Sequence, residues 1–189
     1  MSKLKQAILF DSGVLVDVAR LPNWRLAVTA VTLVRQLMER RWEVILISSQ
    51  SDRASLREAF ASAGFDAECH HFLHWADVAE GAWWATFAFI QTGMSDEVDQ
   101  KKPVVFVSSS RLAIWSARTL LSPGWRDSGG RGGLSRVVTV GFAQNESDQF
   151  FFGGLGCQFV TSHADLSELL IRPEMSAKGG EESGQTPTS

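Results

Sequence analysis

Short apolar runs alternating with stretches of helical spacing are the feature that most restricts how this chain can fold. Strand-like segments are read at 6–11, Trp42–Ser49, Lys102–Ser110 and Arg136–Phe142, with "WEVILISS" nearly all apolar. A strand buried on both faces has this composition, which is usual where helices cover both sides of a parallel sheet. "DAECHHF" is read as a short third strand and Cys157–Ser162 as the last. Between them, Arg25–Arg41 places Leu26, Ala30, Leu33 and Leu37 on one helical stripe. Pro22 or Asn23 would mark its start. Ser51–Phe65 is a second helix, capped by Ser51 or Asp52 and ended by Gly64. Trp75–Gly93 and Arg111–Leu121 are further helices, and "ADLSELLI" is a short closing one. The expectation is a three-layer α/β domain with a doubly wound, mostly parallel sheet. One domain, 1–172, is expected, followed by a disordered tail, 173–189, rich in Gly, Ser, Glu and Thr.

A chain of 189 residues can bury a full core, and 44% hydrophobic with 21% charged residues is ordinary for a soluble globule. The formal net charge of −3 supplies no basic field for phosphate backbones, so nucleic acid is not an expected partner. No stretch is long and apolar enough for a membrane span or a signal peptide. Two cysteines, Cys69 and Cys157, do not make a disulfide framework, and a cytoplasmic location is expected. Seven Trp and twelve Phe with no Tyr is an unusual aromatic mix, and some Trp is expected on a partner surface.

In an open parallel sheet, chemistry sits beyond the C-terminal ends of the strands. Four such ends matter: Asp11-Ser12-Gly13, Ser48-Ser49-Gln50, Ser108-Ser109-Ser110 and Gly141-Phe142. Asp11 at a strand end can attack phosphorus if Mg²⁺ and nearby cations neutralise the phosphate oxygens. Ser12, Ser48, Ser49, Ser108 and Ser109 carry hydroxyls suited to phosphate oxygens, and Lys101 or Lys102 can screen the repulsion. A second carboxylate is normally needed for the metal.

These strand ends resemble the motifs of the haloacid dehalogenase (HAD) superfamily. That family opens with a strand ending in Asp-x-Asp-Gly-(Thr/Val)-(Leu/Val), and this chain has "LFDSGVLV". By resemblance Asp11 is the nucleophile, and Gly13 stands at the second Asp, the general acid/base. "VILISSQ" offers Ser48, or Ser49 in the adjacent register, as the second motif. Lys101 or Lys102 would supply the third. "VVFVSSS" matches the fourth-motif strand, but Ser108 and Ser109 replace the metal-binding acids. The resemblance covers roughly residues 6–170, including "FVTSHADLSELL" near its end. It leaves little room for a cap domain, and family members of that kind often accept large substrates or protein partners. Gly13 cannot move a proton, and a Ser hydroxyl is a neutral metal ligand. Asp148, with Glu146 nearby, could supply a replacement carboxylate, so the metal site would consist of Asp11 and Asp148. Asp17 lies beyond the turn.

Other clusters carry less. Cys69, His70, His71 and His74, with Asp77, have zinc-compatible ligand types, but a partly exposed strand edge is the plainer reading. "SGGRGG" lacks the end of a phosphate-binding loop and is read as a surface loop. "NESDQFFFGGLG" is a rim feature or a short helix packed on the sheet. Trp75, Trp83, Trp84 and Trp115 are read as packing residues. The expected function is a catalytically degenerate HAD-like domain that binds a protein partner or a phosphorylated ligand. The alternatives are a Mg²⁺-dependent phosphohydrolase using Asp11 and an unrelated α/β ligand-binding module.

Overall fold

The computed structural model describes residues 6–17, 24–48, 53–65, 70–74, 103–120 and 137–171. Six strands, β1 (Gln6–Asp11), β2 (Trp42–Ser48), β3 (His70–His74), β4 (Val104–Ser108), β5 (Val137–Phe142) and β6 (Gln158–Val160), form one sheet in the order β3-β2-β1-β4-β5-β6. Every pairing is parallel, as the apolar runs require. The order reverses between β1 and β4, so the crevice expected of a doubly wound sheet opens there.

The helices are α1 (Ser12–Leu15), α2 (Val28–Glu39), α3 (Arg53–Ser62), α4 (Arg111–Leu120), α5 (Glu146–Gly154) and α6 (His163–Ile171). Successive residues of β1 point to opposite faces. Ile8 and Phe10 enter a core with Leu33 and Leu37 of α2, Leu56 and Phe60 of α3, and Leu166 of α6. Ala7 and Leu9 enter a second core with Ala113, Ile114 and Ala117 of α4 and Phe152 of α5. Two cores on one sheet make the three layers. Fully burying one such Leu, Ile or Phe contributes about 1.5–3 kcal/mol.

Gly141 shows how closely α5 sits on the sheet. A Cβ built there would lie 2.5 Å from Cδ2 of Phe152, so the ring rests against bare backbone. Overpacking at such a contact costs about 1–3 kcal/mol.

β1 has the expected bounds, and most other elements are trimmed by one or two residues. One difference with a clear cause is the start of α2, expected at Arg25 and found at Val28. Residues 25–27 are instead paired antiparallel to 15–17, through Asp17 N–H to Arg25 O (2.9 Å), Ala27 N–H to Leu15 O (2.9 Å) and a bridge between Val16 and Leu26. That pairing takes the backbone groups a first helical turn would have used. Ala27 is therefore the N-cap, with no side-chain cap, in place of Pro22 or Asn23. β3 runs to His74, past the expected end, because it pairs with β2 from Val44 to Ser48. The expected helix at Trp75–Gly93, the loop at Ser122–Gly133 and the tail lie outside the described residues.

Candidate functional site

β1 delivers Asp11 to the C-terminal edge of the sheet, and β4 delivers Ser108 directly beside it. Asp11 is also the N-cap of α1: its Oδ1 accepts from Gly13 N–H at 3.1 Å. Its Oδ2 accepts from the Ser108 hydroxyl at 2.7 Å, and Ser108 is fully buried. Ser110 N–H donates to Ser108 Oγ at 3.0 Å, so the serine hydroxyl is held from behind while it donates forward. Ser110 Oγ accepts from Ala113 N–H at 3.3 Å and caps α4. Burial pushes the Asp11 carboxyl above the usual carboxylate range; the Ser108 hydroxyl and the N–H groups of Gly13, Ser110 and Ser109 offset part of that.

Gly13 stands where the resemblance places an acid/base. A Cβ at that position would lie 2.8 Å from Ser109 Oγ. The space a side chain would take at residue 13 is therefore bounded by the Ser109 hydroxyl, and an acid there would require Ser109 to move.

Ser12 opens α1 and is half-buried. Ser48 ends β2, one residue beyond Ile47, which pairs with Asp11. Ser49, Lys101 and Lys102 lie outside the described residues, as do Cys69 and Asp77; of the histidine cluster only the backbone of β3 is described. Glu146 is exposed at the first position of α5. Asp148 is buried and already engaged: Oδ1 accepts from Arg111 Nε at 2.7 Å and Oδ2 from Gln144 N–H at 3.1 Å. Asn145 is the N-cap of α5, its Oδ1 accepting from Asp148 N–H at 3.0 Å.

Among the described residues, the donor set around Asp11 offers a Mg²⁺ ion a single carboxylate. That ion takes a near-ideal octahedron of hard oxygens, with one or two carboxylates and several waters. Here both Asp11 oxygens face N–H or O–H donors, and Ser108 is neutral. Among the described residues no group of three His, Cys, Asp or Glu side chains gathers to hold a metal.

Two residues that organise this end of the sheet have no strong sequence signal. Arg111, directly after the three serines, pairs with Asp148 and lies over the Phe151 ring, 5.5 Å from its centroid. His163 opens α6, and its Nε2 is 2.7 Å from Val14 O in α1. A carbonyl only accepts, so Nε2 carries the proton; Nδ1 then accepts from the Thr29 hydroxyl at 2.9 Å. The neutral ring thus ties the turn behind Asp11 to α2 and α6.

Burial lowers the His163 pKa, while its bond to Val14 opposes the shift. Between the lowered folded value and about 6.5 the unfolded chain binds a proton that the folded chain does not. The contribution of His163 to stability is therefore complete above about pH 6.5 and is lost as pH falls toward the folded value. Urea midpoints between pH 5 and 8 are expected to show this slope in the wild type and a shallower one in His163→Gln. An unchanged slope in the variant would assign the effect elsewhere.

Comparison with solved structures places the fold. A D,D-heptose 1,7-bisphosphate phosphatase from B. bronchiseptica, complexed with magnesium and phosphate, superposes with a TM-score of 0.55 at 13% identity, covering 88% of this chain and 98% of that one. A protein described as a beta-phosphoglucomutase from Bacteroides vulgatus gives 0.56 at 10% identity, covering 89% of this chain and 88% of that one. No protein-family model and no curated protein sequence matches the chain. The likeness is one of fold: the chain has the HAD-like α/β architecture of these two proteins.

Proposed function

We propose that this chain is a HAD-fold binding protein whose phosphotransfer site is degenerate. The observation that carries the reading is the hydrogen bond from the buried Ser108 hydroxyl to Asp11 at 2.7 Å. A neutral donor occupies the position where an anionic metal ligand would be needed. Asp148 is assigned a structural role, since Arg111 and Gln144 N–H use both its oxygens. A protein partner or a phosphorylated ligand is the proposed target, in a cytoplasmic setting. Among the described residues no helix is long and apolar enough to cross a membrane.

A second reading is a Mg²⁺-dependent phosphohydrolase with Asp11 as nucleophile, Ser48 and Lys102 as helpers, and Ser12, Ser49, Ser108 and Ser109 on the phosphate. One observation favours it: the fold is shared with a phosphatase bound to magnesium and phosphate. Isothermal titration with MgCl₂ separates the two. The degenerate site is expected to give no saturable heat at millimolar Mg²⁺. Saturable binding abolished by Asp11→Asn would favour the phosphohydrolase.

A further inference from the structure

β6 closes the sheet on one side, and among the described residues no strand pairs with its outer edge. Ala143 N–H donates to Val160 O at 2.8 Å, so Val160 turns its backbone groups toward β5. Successive residues of a strand turn these groups to opposite sides, so Phe159 presents its N–H and C=O to the open edge. Natural edges are commonly guarded by charged side chains, Pro or a bulge. From Gln149 to Ser162 this chain carries no Asp, Glu, Lys, Arg or Pro. The guard that remains is shortness, since β6 has 3 residues.

The helix above that edge is uncovered as well. α5 straddles the last two strands: Phe152 packs on Gly141 of β5, while a Cβ built at Gly153 would lie 3.9 Å from Cε1 of Phe159 in β6. Phe150 is one turn back from Gly153 on the same helix face and is 86% exposed. Phe159 is 36% exposed. A Cβ at Gly154 would meet nothing within 4 Å. Phe150, Gly153 and Phe159 thus line the open edge with apolar surface.

We propose that this edge is the two-fold interface of a homodimer, with β6 antiparallel to β6 of a second copy and Phe159 opposite Phe159. In that register the two Phe159 residues exchange both N–H to C=O bonds, so the free backbone groups of both copies are used at once. A two-fold axis normal to the sheet keeps α5 of both copies on one face. With strands about 4.8 Å apart, two helices that each straddle their last two strands lie about 10 Å apart. Packed helices have interaxial distances of about 8–10 Å. Closing the edge therefore also brings the two α5 faces into contact, and the same surface serves both copies, as an isologous interface requires. A lone extended peptide would pair with the edge and leave the α5 face bare. The uncharged run also matters for a chain of net charge −3, because it spares two copies a like-charge contact here.

The test is sedimentation equilibrium of the whole chain from micromolar to millimolar concentration, for the wild type, Phe150→Glu and Phe159→Lys, with amide exchange at Phe159 followed over the same range. Phe150→Glu changes an exposed side chain and guards against misfolding of the β6 variant. The wild-type mass is expected to rise from 20.8 kDa to twice that value, with the Phe159 amide growing more protected as it does. Like charges brought together at the axis are expected to weaken the dimer about tenfold or more in each variant. A monomer throughout, assembly beyond a dimer, a dimer equally strong in both variants, or a dimer with no protection at Phe159 would overturn the proposal. β5 separates this edge from the strands that carry Asp11 and Ser108, so the outcome is independent of turnover at that site.

Discussion

Ser108→Asp is expected to destabilise the metal-free protein by roughly 3–5 kcal/mol, the cost of an uncompensated buried charge, and to make its stability depend on Mg²⁺. Ser108 is fully buried and its Oγ lies 2.7 Å from Asp11 Oδ2. A second carboxylate there replaces a donor with an acceptor, and two carboxylates so close cannot both ionise without a cation. Mg²⁺ would supply that cation. A site filled at one hundred times its Kd adds about 2.7 kcal/mol to the folded state. Urea unfolding with and without Mg²⁺ is therefore expected to separate widely in the variant and coincide in the wild type. Mg²⁺-dependent stability of equal size in both proteins would mean that the wild-type site already holds the ion. The variant is not expected to gain turnover, since Gly13 still has no proton to give and general acid/base help is typically worth about 10²–10⁴-fold.

Asp11→Asn is expected to act in the opposite direction, raising stability at pH 7 by roughly 1–3 kcal/mol, the desolvation penalty of a buried polar group. Burial lifts the Asp11 pKa above its usual value. Between about 3.9, the unfolded value, and the raised folded value, the folded chain binds the extra proton. Stability therefore falls as pH rises through that window, and the penalty is complete above the raised folded value. Asn keeps an acceptor for Gly13 N–H, and the Ser108 hydroxyl can turn to suit its amide. The gain should grow as pH rises above about 4 and vanish below it, where the wild-type carboxyl is neutral too. Denaturant midpoints at pH 3.5 and 7 check this. A destabilised Asp11→Asn at pH 7 would show that the ionised carboxylate is a net structural asset.

Much of this architecture was legible from residue patterns. β1 was readable to the residue because its apolar run is closed by Asp11 and Gly13. The adjacency of Asp11 and Ser108 comes from the sheet order, which sets β1 beside β4. The beginning of α2 was misread because Leu26 has helical spacing, while its actual partner, Val16, belongs to a pairing across the preceding turn. Local periodicity carries no trace of that contact. Arg111 and Asp148 are 37 residues apart on different helices, and His163 reaches Val14 over 149 residues. Such pairs are made by packing, so sequence alone offers Asp148 as a metal ligand with Asp11, while in the fold its oxygens are taken by Arg111 and Gln144 N–H. Trp115, read as a packing residue, is 41% exposed because α4 buries its alanine and isoleucine side.

The proposed reading gives this fold a site without phosphotransfer chemistry. Its most direct test is hydrolysis of p-nitrophenyl phosphate by wild type and Asp11→Asn, with and without Mg²⁺. The degenerate site predicts that both proteins give the same background rate and that Mg²⁺ adds nothing. Mg²⁺-dependent turnover by the wild type, lost in Asp11→Asn, would contradict it.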